Sequence, residues 1–230
     1  MSINLEPVFE LRDKFVKKYF GEEFYNYQRE PSNRLIESVL LNDGATIPIE
    51  FSRQSGKTTM VVGTVAFLMI MIYEIRKELG LPDIREFSIG IFAPQQQQAK
   101  TDFDRLKLIL KNAKGLGFSF EENNGNTIKL DNGSTCYCFS MSPTSNLESK
   151  TLHLIIYEES QKLLDSKISN ETSPMGSATF ASTVYIGTAG YQRCKFLYFL
   201  ETGKERFIID YKEVIKEKEE VYNITQNPFH

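Results

Sequence analysis

The segment Ser52–Thr59 contains the residue types that bind a chain of phosphates, and it reads Ser-Arg-Gln-Ser-Gly-Lys-Thr-Thr. It lies between a short β-like run and a long helical run. A glycine allows the backbone to approach phosphates closely, and the start of a helix supplies N–H donors and a positive dipole. In such a loop the lysine pairs with the β- and γ-phosphates, and the hydroxyl that follows binds Mg²⁺. The segment therefore predicts a phosphate-binding loop formed by Ser52, Arg53, Gln54, Ser55, Gly56, Lys57, Thr58 and Thr59.

This loop departs from the commonest form of the motif at one position. A glycine usually stands five residues before Gly56, and Phe51 stands there in this chain. Taken alone, the segment is also compatible with an ordinary helix start that has Ser52 or Ser55 as its N-cap.

Two carboxylates follow a second apolar run, which reads Leu-Ile-Ile-Tyr and precedes Glu158 and Glu159. In P-loop nucleotidases an acid in this place binds Mg²⁺, and a following glutamate polarises the attacking water. Acidic pairs after strands are also common as plain surface features. The pair therefore strengthens the nucleotide hypothesis only together with the loop.

Two further segments fit the same chemistry. Gly187, Thr188 and Ala189 follow an apolar run, where a polar residue can sense a γ-phosphate, although such a segment is also an ordinary turn. Gln28 stands among aromatic residues, and its amide can both donate to and accept from an adenine edge. The simpler interpretation of Gln28 is an exposed glutamine in a loop.

The pattern of apolar residues predicts the elements that position these segments. Strand, loop and helix alternate, and the apolar strands lack the alternation of a one-sided sheet. We therefore expect an α/β domain over residues 1–212, with a mostly parallel central sheet and helices on both faces, followed by a polar tail over 213–230. The predicted helices are Leu5–Phe20, Asn33–Leu41, Thr58–Leu79, Ala99–Ala113, Gln161–Ile168, Phe196–Glu201 and Lys212–Tyr222. The predicted strands are Ala45–Phe51, Phe87–Ala93, Thr127–Leu130, Ser134–Ser140, Thr151–Tyr157, Ser182–Ile186 and Phe207–Tyr211.

The composition excludes several classes of protein. The 230 residues carry a formal net charge of −3, which argues against a histone-like or arginine-rich nucleic-acid binder but not against a local DNA-binding patch. Three cysteines and two histidines have no zinc-binding spacing and suggest free thiols in a reducing compartment. The N-terminus lacks the pattern of a signal peptide, and the apolar run Met60–Tyr73 is shorter than the about 20 residues of a membrane span, so we expect a core helix and no membrane.

In this order, the segments resemble the ATPase half of the large terminase subunit, the DNA-packaging motor of tailed bacteriophages. In that family Arg53-Gln54 before x-Gly-Lys-Thr replaces the usual glycine-rich start, so Phe51 is no longer a departure. Ile91-Phe92-Ala93-Pro94 with Gln98-Ala99 is similar to the next family motif, and His153–Gln161 is similar to the acidic strand. Gly187–Ala189 stands in the place of the coupling motif, which links hydrolysis to movement.

The resemblance implies an ASCE-type, RecA-like P-loop fold that uses ATP and Mg²⁺ to move double-stranded DNA. It implies Gln28 at the adenine, Lys57 and Thr58 at phosphate and Mg²⁺, Glu158 at Mg²⁺ and Glu159 as the catalytic carboxylate. Arg53 resembles the loop arginine that reaches the γ-phosphate from within the same subunit. Arg105 and Arg193 are candidates for an arginine supplied by a neighbouring subunit.

Residue 158 departs from the family pattern, which usually has Asp-Glu after this strand. We align Glu158 with the aspartate because Gln161 and the apolar run then fall in register. Glutamate is one methylene longer, so Mg²⁺ contact requires a small adjustment. The rival register makes Glu158 catalytic and leaves Tyr157 as the anomaly.

Large terminases also carry a nuclease domain, and no similar acidic cluster precedes His230, so we interpret the chain as the ATPase portion with the start of a connector. The family implies a portal protein and a small terminase subunit as partners, a pentameric ring when assembled, a monomer in isolation, and the host bacterial cytoplasm. Two other functions stay open. One is a fragment of a superfamily 2 helicase or restriction-type translocase, and the other is a nucleotide-binding regulatory module without turnover.

Overall fold

The computed structural model describes residues 3–142, 150–188, 190 and 193–222. The helices are α1 (Glu6–Tyr19), α2 (Asn26–Leu41), α3 (Lys57–Glu78), α4 (Gln96–Asn112), the single turn α5 (Asp165–Lys167), α6 (Lys195–Thr202) and α7 (Tyr211–Tyr222). The strands are β1 (Thr46–Phe51), β2 (Phe87–Ala93), β3 (Phe120–Asn123), β4 (Thr127–Leu130), β5 (Ser134–Ser140), β6 (Leu154–Tyr157), β7 (Ser182–Gly187) and β8 (Phe207–Ile209).

The strands of the described residues form one sheet in the order β3-β4-β5-β2-β6-β7-β1-β8. Neighbours from β5 to β8 are parallel, whereas β3, β4 and β5 form an antiparallel meander at one edge. One apolar cluster packs α1 to α4 against one face, and a second packs α6 and the segment before β7 against the other. The predicted α/β fold with a mostly parallel sheet between two helical layers is confirmed.

The position of β7 gives the sheet its class. β7 lies between β1, which leads into the phosphate loop, and β6, which ends at the acidic pair. This additional strand between the two is the feature that names the ASCE class of P-loop NTPases. Because β1, β6 and β7 are parallel, the segments that follow all three meet at one edge of the sheet, where ligands of open α/β sheets bind.

Helix α3 is the centre of the larger core. Its most apolar 18-residue window has the length and composition of a membrane span, yet 72% of that window is buried inside the protein. It packs against α1, α2, α4 and the sheet. A helix that is apolar on every side needs such neighbours on every side in water.

Two predicted helices differ from the structure. Helix α2 begins at Asn26 and contains Pro31, because its first turn is held by one distant carboxylate and by one local side-chain cap. The Asn26 N–H donates to Glu217 at 2.8 Å, and the Tyr25 N–H donates to Gln28 at 2.9 Å. The helix predicted at Gln161–Ile168 is wrong, since this stretch divides into a 3₁₀ turn, α5 and the start of a π-helical turn.

Helix α7 crosses the boundary predicted after residue 212 and packs on the domain. Val214 on this helix is buried against the domain, and Lys218 on the same helix donates to the Gln54 carbonyl oxygen at 2.8 Å. Residues 223–230 of the predicted tail lie outside the described residues, and the division of the chain stays a prediction.

Candidate nucleotide site

The phosphate loop turns sharply from β1 into α3. Gln54 and Gly56 both have positive φ, at 59° and 78°. A Cβ atom on Gly56 would lie 2.5 Å from Nε2 of Gln28. Position 56 therefore needs glycine for its conformation and for its space.

Side-chain hydrogen bonds to its carbonyl oxygens hold the phosphate loop in this conformation. The Ser55 hydroxyl donates to the Ser52 carbonyl oxygen at 2.7 Å, and the Tyr27 hydroxyl donates to the Ser55 carbonyl oxygen at 3.2 Å. Gln28 donates from Nε2 to the carbonyl oxygens of Ser55 and Gly56, both at 3.1 Å. These contacts engage carbonyl oxygens of the loop and none of its N–H groups, so they leave the loop N–H groups for an anion.

Gln28 is buried, which excludes the simpler interpretation of an exposed loop glutamine. Its Nε2 serves the loop, and its Oε1 accepts from the Tyr25 N–H. In this geometry both ends of the amide are engaged by the protein itself. Its role at an adenine stays a prediction.

The central contact joins the loop to the acidic strand. Nζ of Lys57 lies 3.2 Å from Oε1 of Glu159, and Nζ of Lys162 lies 2.9 Å from Oε2. Burial raises the cost of ionising Glu159, but the hydrogen bonds and charges of Lys162 and Lys57 outweigh it and lower the pKa of this carboxyl. Glu159 is therefore ionised at neutral pH, as a group that orients water must be.

The backbone at Glu159 is in the left-handed region, with φ 48° and ψ 44°. Such a conformation costs a non-glycine residue on the order of 1 kcal/mol and is retained where the surroundings fix it. It turns the chain sharply after β6.

Glu158 lies fully buried beside this contact. Its Oε2 accepts from Nε2 of Gln98 at 3.4 Å, and its Oε1 is buried with no hydrogen-bond partner among the described residues. Burial raises the pKa of Glu158, and the charge of Lys57 acts against that rise. An unsatisfied buried carboxylate oxygen is costly unless a cation or donor reaches it.

A third carboxylate, Asp102 on α4, was missed by the sequence reasoning. It is buried, and neither of its oxygens has a hydrogen-bond partner within the described part of the chain. Burial, and then repulsion from Glu158, raise the pKa of Asp102. A signal was present, because Asp102 lies on the same helical stripe as Ala99, Phe103 and Leu106, where an apolar residue is expected.

The predicted coupling segment is connected to the acidic pair by hydrogen bonds of the Gln161 side chain. Nε2 of Gln161 donates to Oε2 of Glu159 and to Oγ1 of Thr188, both at 2.9 Å. Gly187 ends β7 beside this amide. Ala189 lies outside the described residues.

The other predicted residues surround the loop. Ser52, Thr58 and Thr59 lie in the loop or the first turn of α3, and the Ser52 hydroxyl is buried with no partner within residues 3–142, 150–188, 190 and 193–222. Arg53 is exposed at the loop. The candidate trans arginines, Arg105 on α4 and Arg193 before α6, are also exposed. The structure therefore brings together the loop, the acidic pair and Thr188.

A family model described as the T4-like-virus type of terminase large subunit, N-terminal part, matches residues 49–182. The match covers more than half of the chain and includes the phosphate loop and the acidic pair. The chain belongs to the large terminase subunit family. No curated protein sequence matches it.

Solved structures of large terminases share the fold. The large terminase ATPase domain of Thermus phage P74-26 superimposes with a TM-score of 0.70 at 18% identity, over 94% of this chain and 93% of that one. The large terminase of bacteriophage HK97 gives 0.63 at 16% identity, over 88% of this chain and 43% of that one. The large terminase of a thermophilic bacteriophage in complex with ADP gives 0.60 at 15% identity, over 88% and 50%. This chain thus spans about half the length of the longer relatives.

Proposed function

We propose that this terminase chain hydrolyses ATP with Mg²⁺ and so powers the movement of double-stranded viral DNA into a procapsid. The single observation that carries the proposal is the 3.2 Å contact between Lys57 and Glu159. It places a phosphate-binding cation and an ionised carboxylate at the start of one helix, where an anion is favoured. The ADP complex of the thermophilic phage relative supports nucleotide as the ligand.

The roles follow from the chemistry of each group. Lys57 would hold the β- and γ-phosphates, and Arg53, which is exposed at the loop, would supply a positive charge to the γ-phosphate. Glu159 orients the attacking water, because it is ionised and held from both sides. Thr188 reports the state of the site to the segment after β7.

The donor set fits Mg²⁺. Hydroxyl and carboxylate oxygens are its preferred ligands, and the chain offers the hydroxyl of Thr58 and the unpartnered Oε1 of Glu158. When bound, Mg²⁺ neutralises charge on the phosphates. In this interpretation Glu158, which is one methylene longer than the usual aspartate, contacts Mg²⁺ through a water molecule.

The wider assembly is part of the proposal. We expect DNA, a portal protein and a small terminase subunit as partners, a pentameric ring in the assembled motor, and the host bacterial cytoplasm as the place of action. The family match supports a role in phage DNA packaging in general.

The test is phosphate release from ATP with and without Mg²⁺, for the wild type and for Glu159→Ala. We expect slow, Mg²⁺-dependent release in isolation, faster with DNA and partner proteins, and a loss of about 10²-fold or more in the variant. Glu121→Ala is the matched control, because Glu121 is an exposed carboxylate on β3. Equal rates above background for wild type and Glu159→Ala contradict the assignment, and tight ATP binding without turnover favours a regulatory module.

A further inference from the structure

The side chain of Gln161 forms a hydrogen-bonded bridge between Glu159, which follows β6, and Thr188, which follows β7. Its Nε2 donates to Oε2 of Glu159 and to Oγ1 of Thr188, both at 2.9 Å. Its Oε1 accepts from the Thr188 N–H at 3.3 Å. The amide thus makes three of its four possible hydrogen bonds, two of them to Thr188.

Gly187 makes room for this bridge. A Cβ atom on Gly187 would overlap Oε1 of Gln161 and would lie 2.9 Å from the ring of Phe196. The absence of a side chain at the end of β7 is therefore what allows the amide to reach Thr188. The φ of Gly187 is not in the left-handed region, so glycine is needed at this position because a side chain would not fit, and not because of the backbone conformation.

The bridge is selective in what it holds. Lys57 and Lys162 also contact Glu159, but neither contacts Thr188 among the interactions of the described residues. Within that part of the chain, Gln161 is the side chain that hydrogen-bonds to both. Since an amide has fixed donor and acceptor ends, it sets an orientation that a flexible ammonium does not.

We propose that Gln161 is the positioning residue that couples the Glu159 carboxylate to Thr188, so that a shift of either side chain displaces the other. The inference rests on the proposed ATPase function for its consequence, but the bridge itself is a property of this chain. It gives a physical route from the hydrolysis site to the segment that follows β7. A displacement of Glu159 toward or away from Lys57 moves the side-chain amide of Gln161, and the movement of that amide displaces Thr188.

The first arm of the test needs no nucleotide. Amide hydrogen exchange at Thr188, followed by NMR, is compared between wild type and Gln161→Met, a side chain of similar size without hydrogen bonds. We expect Thr188 to lose protection in this variant and to keep it in Gln97→Ala, an exposed glutamine on α4. Unchanged protection in Gln161→Met overturns the bridge.

The second arm measures ATP turnover by Gln161→Met, Thr188→Val and the double variant. We expect kcat to fall on the order of 10- to 100-fold in each single variant, with little change in KM, because a misplaced carboxylate affects chemistry more than binding. The double variant is expected to be no slower than the slower single one, since both break the same link. Gln161→Glu is expected to be slower than Gln161→Met, because it sets a second carboxylate against Glu159.

The outcomes separate this inference from the proposed function. An absence of ATP turnover in the wild type removes the proposed function, and turnover that does not depend on Glu159 removes the assignment of Glu159. Both outcomes leave the exchange arm to decide whether Gln161 bridges Glu159 and Thr188. Turnover that depends on Glu159 but is within twofold of wild type in Gln161→Met, or additive losses in the double variant, overturns the coupling. If Gln161→Met fails to fold by circular dichroism, Gln161→Ala, which also removes all three hydrogen bonds of the amide, carries both arms.

Discussion

Oε1 of Glu159 lies 3.2 Å from Nζ of Lys57, so the predicted water-orienting carboxylate is paired with the predicted phosphate-binding cation. Both side chains are largely buried, which strengthens their attraction relative to an exposed pair. A γ-phosphate that binds Lys57 competes with Glu159 for the same ammonium. Nucleotide binding and the release of Glu159 toward water are therefore expected to be one event.

The first prediction concerns Glu159→Gln. Removing the charge weakens the competition for Lys57, so ATP is expected to bind more tightly while hydrolysis falls by about 10² to 10⁴. Binding is measured with a fluorescent ATP analogue and turnover by phosphate release. Weaker binding in Glu159→Gln than in wild type would show that the ion pair supports the loop instead of competing with the phosphate.

The second prediction concerns Gly56→Ala. The left-handed backbone and the 2.5 Å approach of Gln28 Nε2 leave no space for a methyl group, so the loop must shift. We expect a loss of about 1–2 kcal/mol in the free energy of unfolding and weaker nucleotide binding. Gly115→Ala is the control, because nothing lies within 4 Å of its added Cβ. Similar losses in the two variants, measured by urea unfolding, speak against a specific constraint at Gly56.

The sequence predicts an element well where the element is decided locally. Phe87–Ala93 is an unbroken apolar run, and Thr127–Leu130 and Ser134–Ser140 flank a strong turn, so these three strands agree with the structure to the residue. The first turn of α2 was missed because its support comes from Glu217, far along the chain. The predicted helix begins only at Asn33, after Pro31, a residue type that is disfavoured inside helices.

The candidate nucleotide site also divides into parts that the local sequence predicts and parts that depend on distant contacts. The phosphate loop and the acidic pair are contiguous segments with known chemistry, and the fold brings them together as expected. Asp102 and the bridging contacts of Gln161 depend on which helix covers which strand end, and no local pattern specifies that. The irregular chain from Gln161 to Thr172 is likewise held by contacts with other elements, since Asp165 accepts from the Lys195 N–H and Thr172 is hydrogen-bonded to Tyr157.

The third prediction concerns pH and Asp102. Because the pKa of Asp102 is raised in the folded protein, the folded state holds a proton that the unfolded state releases above about pH 4. The contribution of this group is thus present at low pH and is lost as pH rises toward the raised pKa. Asp102→Asn removes this loss, so its free energy of unfolding should decrease less between pH 5 and pH 8 than that of wild type.

The control for this experiment is Asp104→Asn, an exposed carboxylate on the same helix that pairs with Lys100. Urea unfolding at both pH values gives the comparison. Glu158 also has a raised pKa, so part of the pH dependence is expected to remain in Asp102→Asn. A pH dependence of Asp102→Asn equal to that of Asp104→Asn contradicts the assignment.

The last prediction concerns the attachment of α7. Glu217 accepts from the N–H groups of Asn26 and Tyr27 at 2.8 and 3.3 Å, and so it caps the start of α2 from another element. Glu217→Ala is expected to lower the free energy of unfolding by about 1 kcal/mol and to speed proteolytic cleavage near α7, because the helix loses a polar anchor. Glu220→Ala, on the exposed side of the same helix, is expected to behave as wild type. Equal cleavage rates for the two variants would mean that the burial of Val214, and not the cap, holds α7 against the nucleotide site.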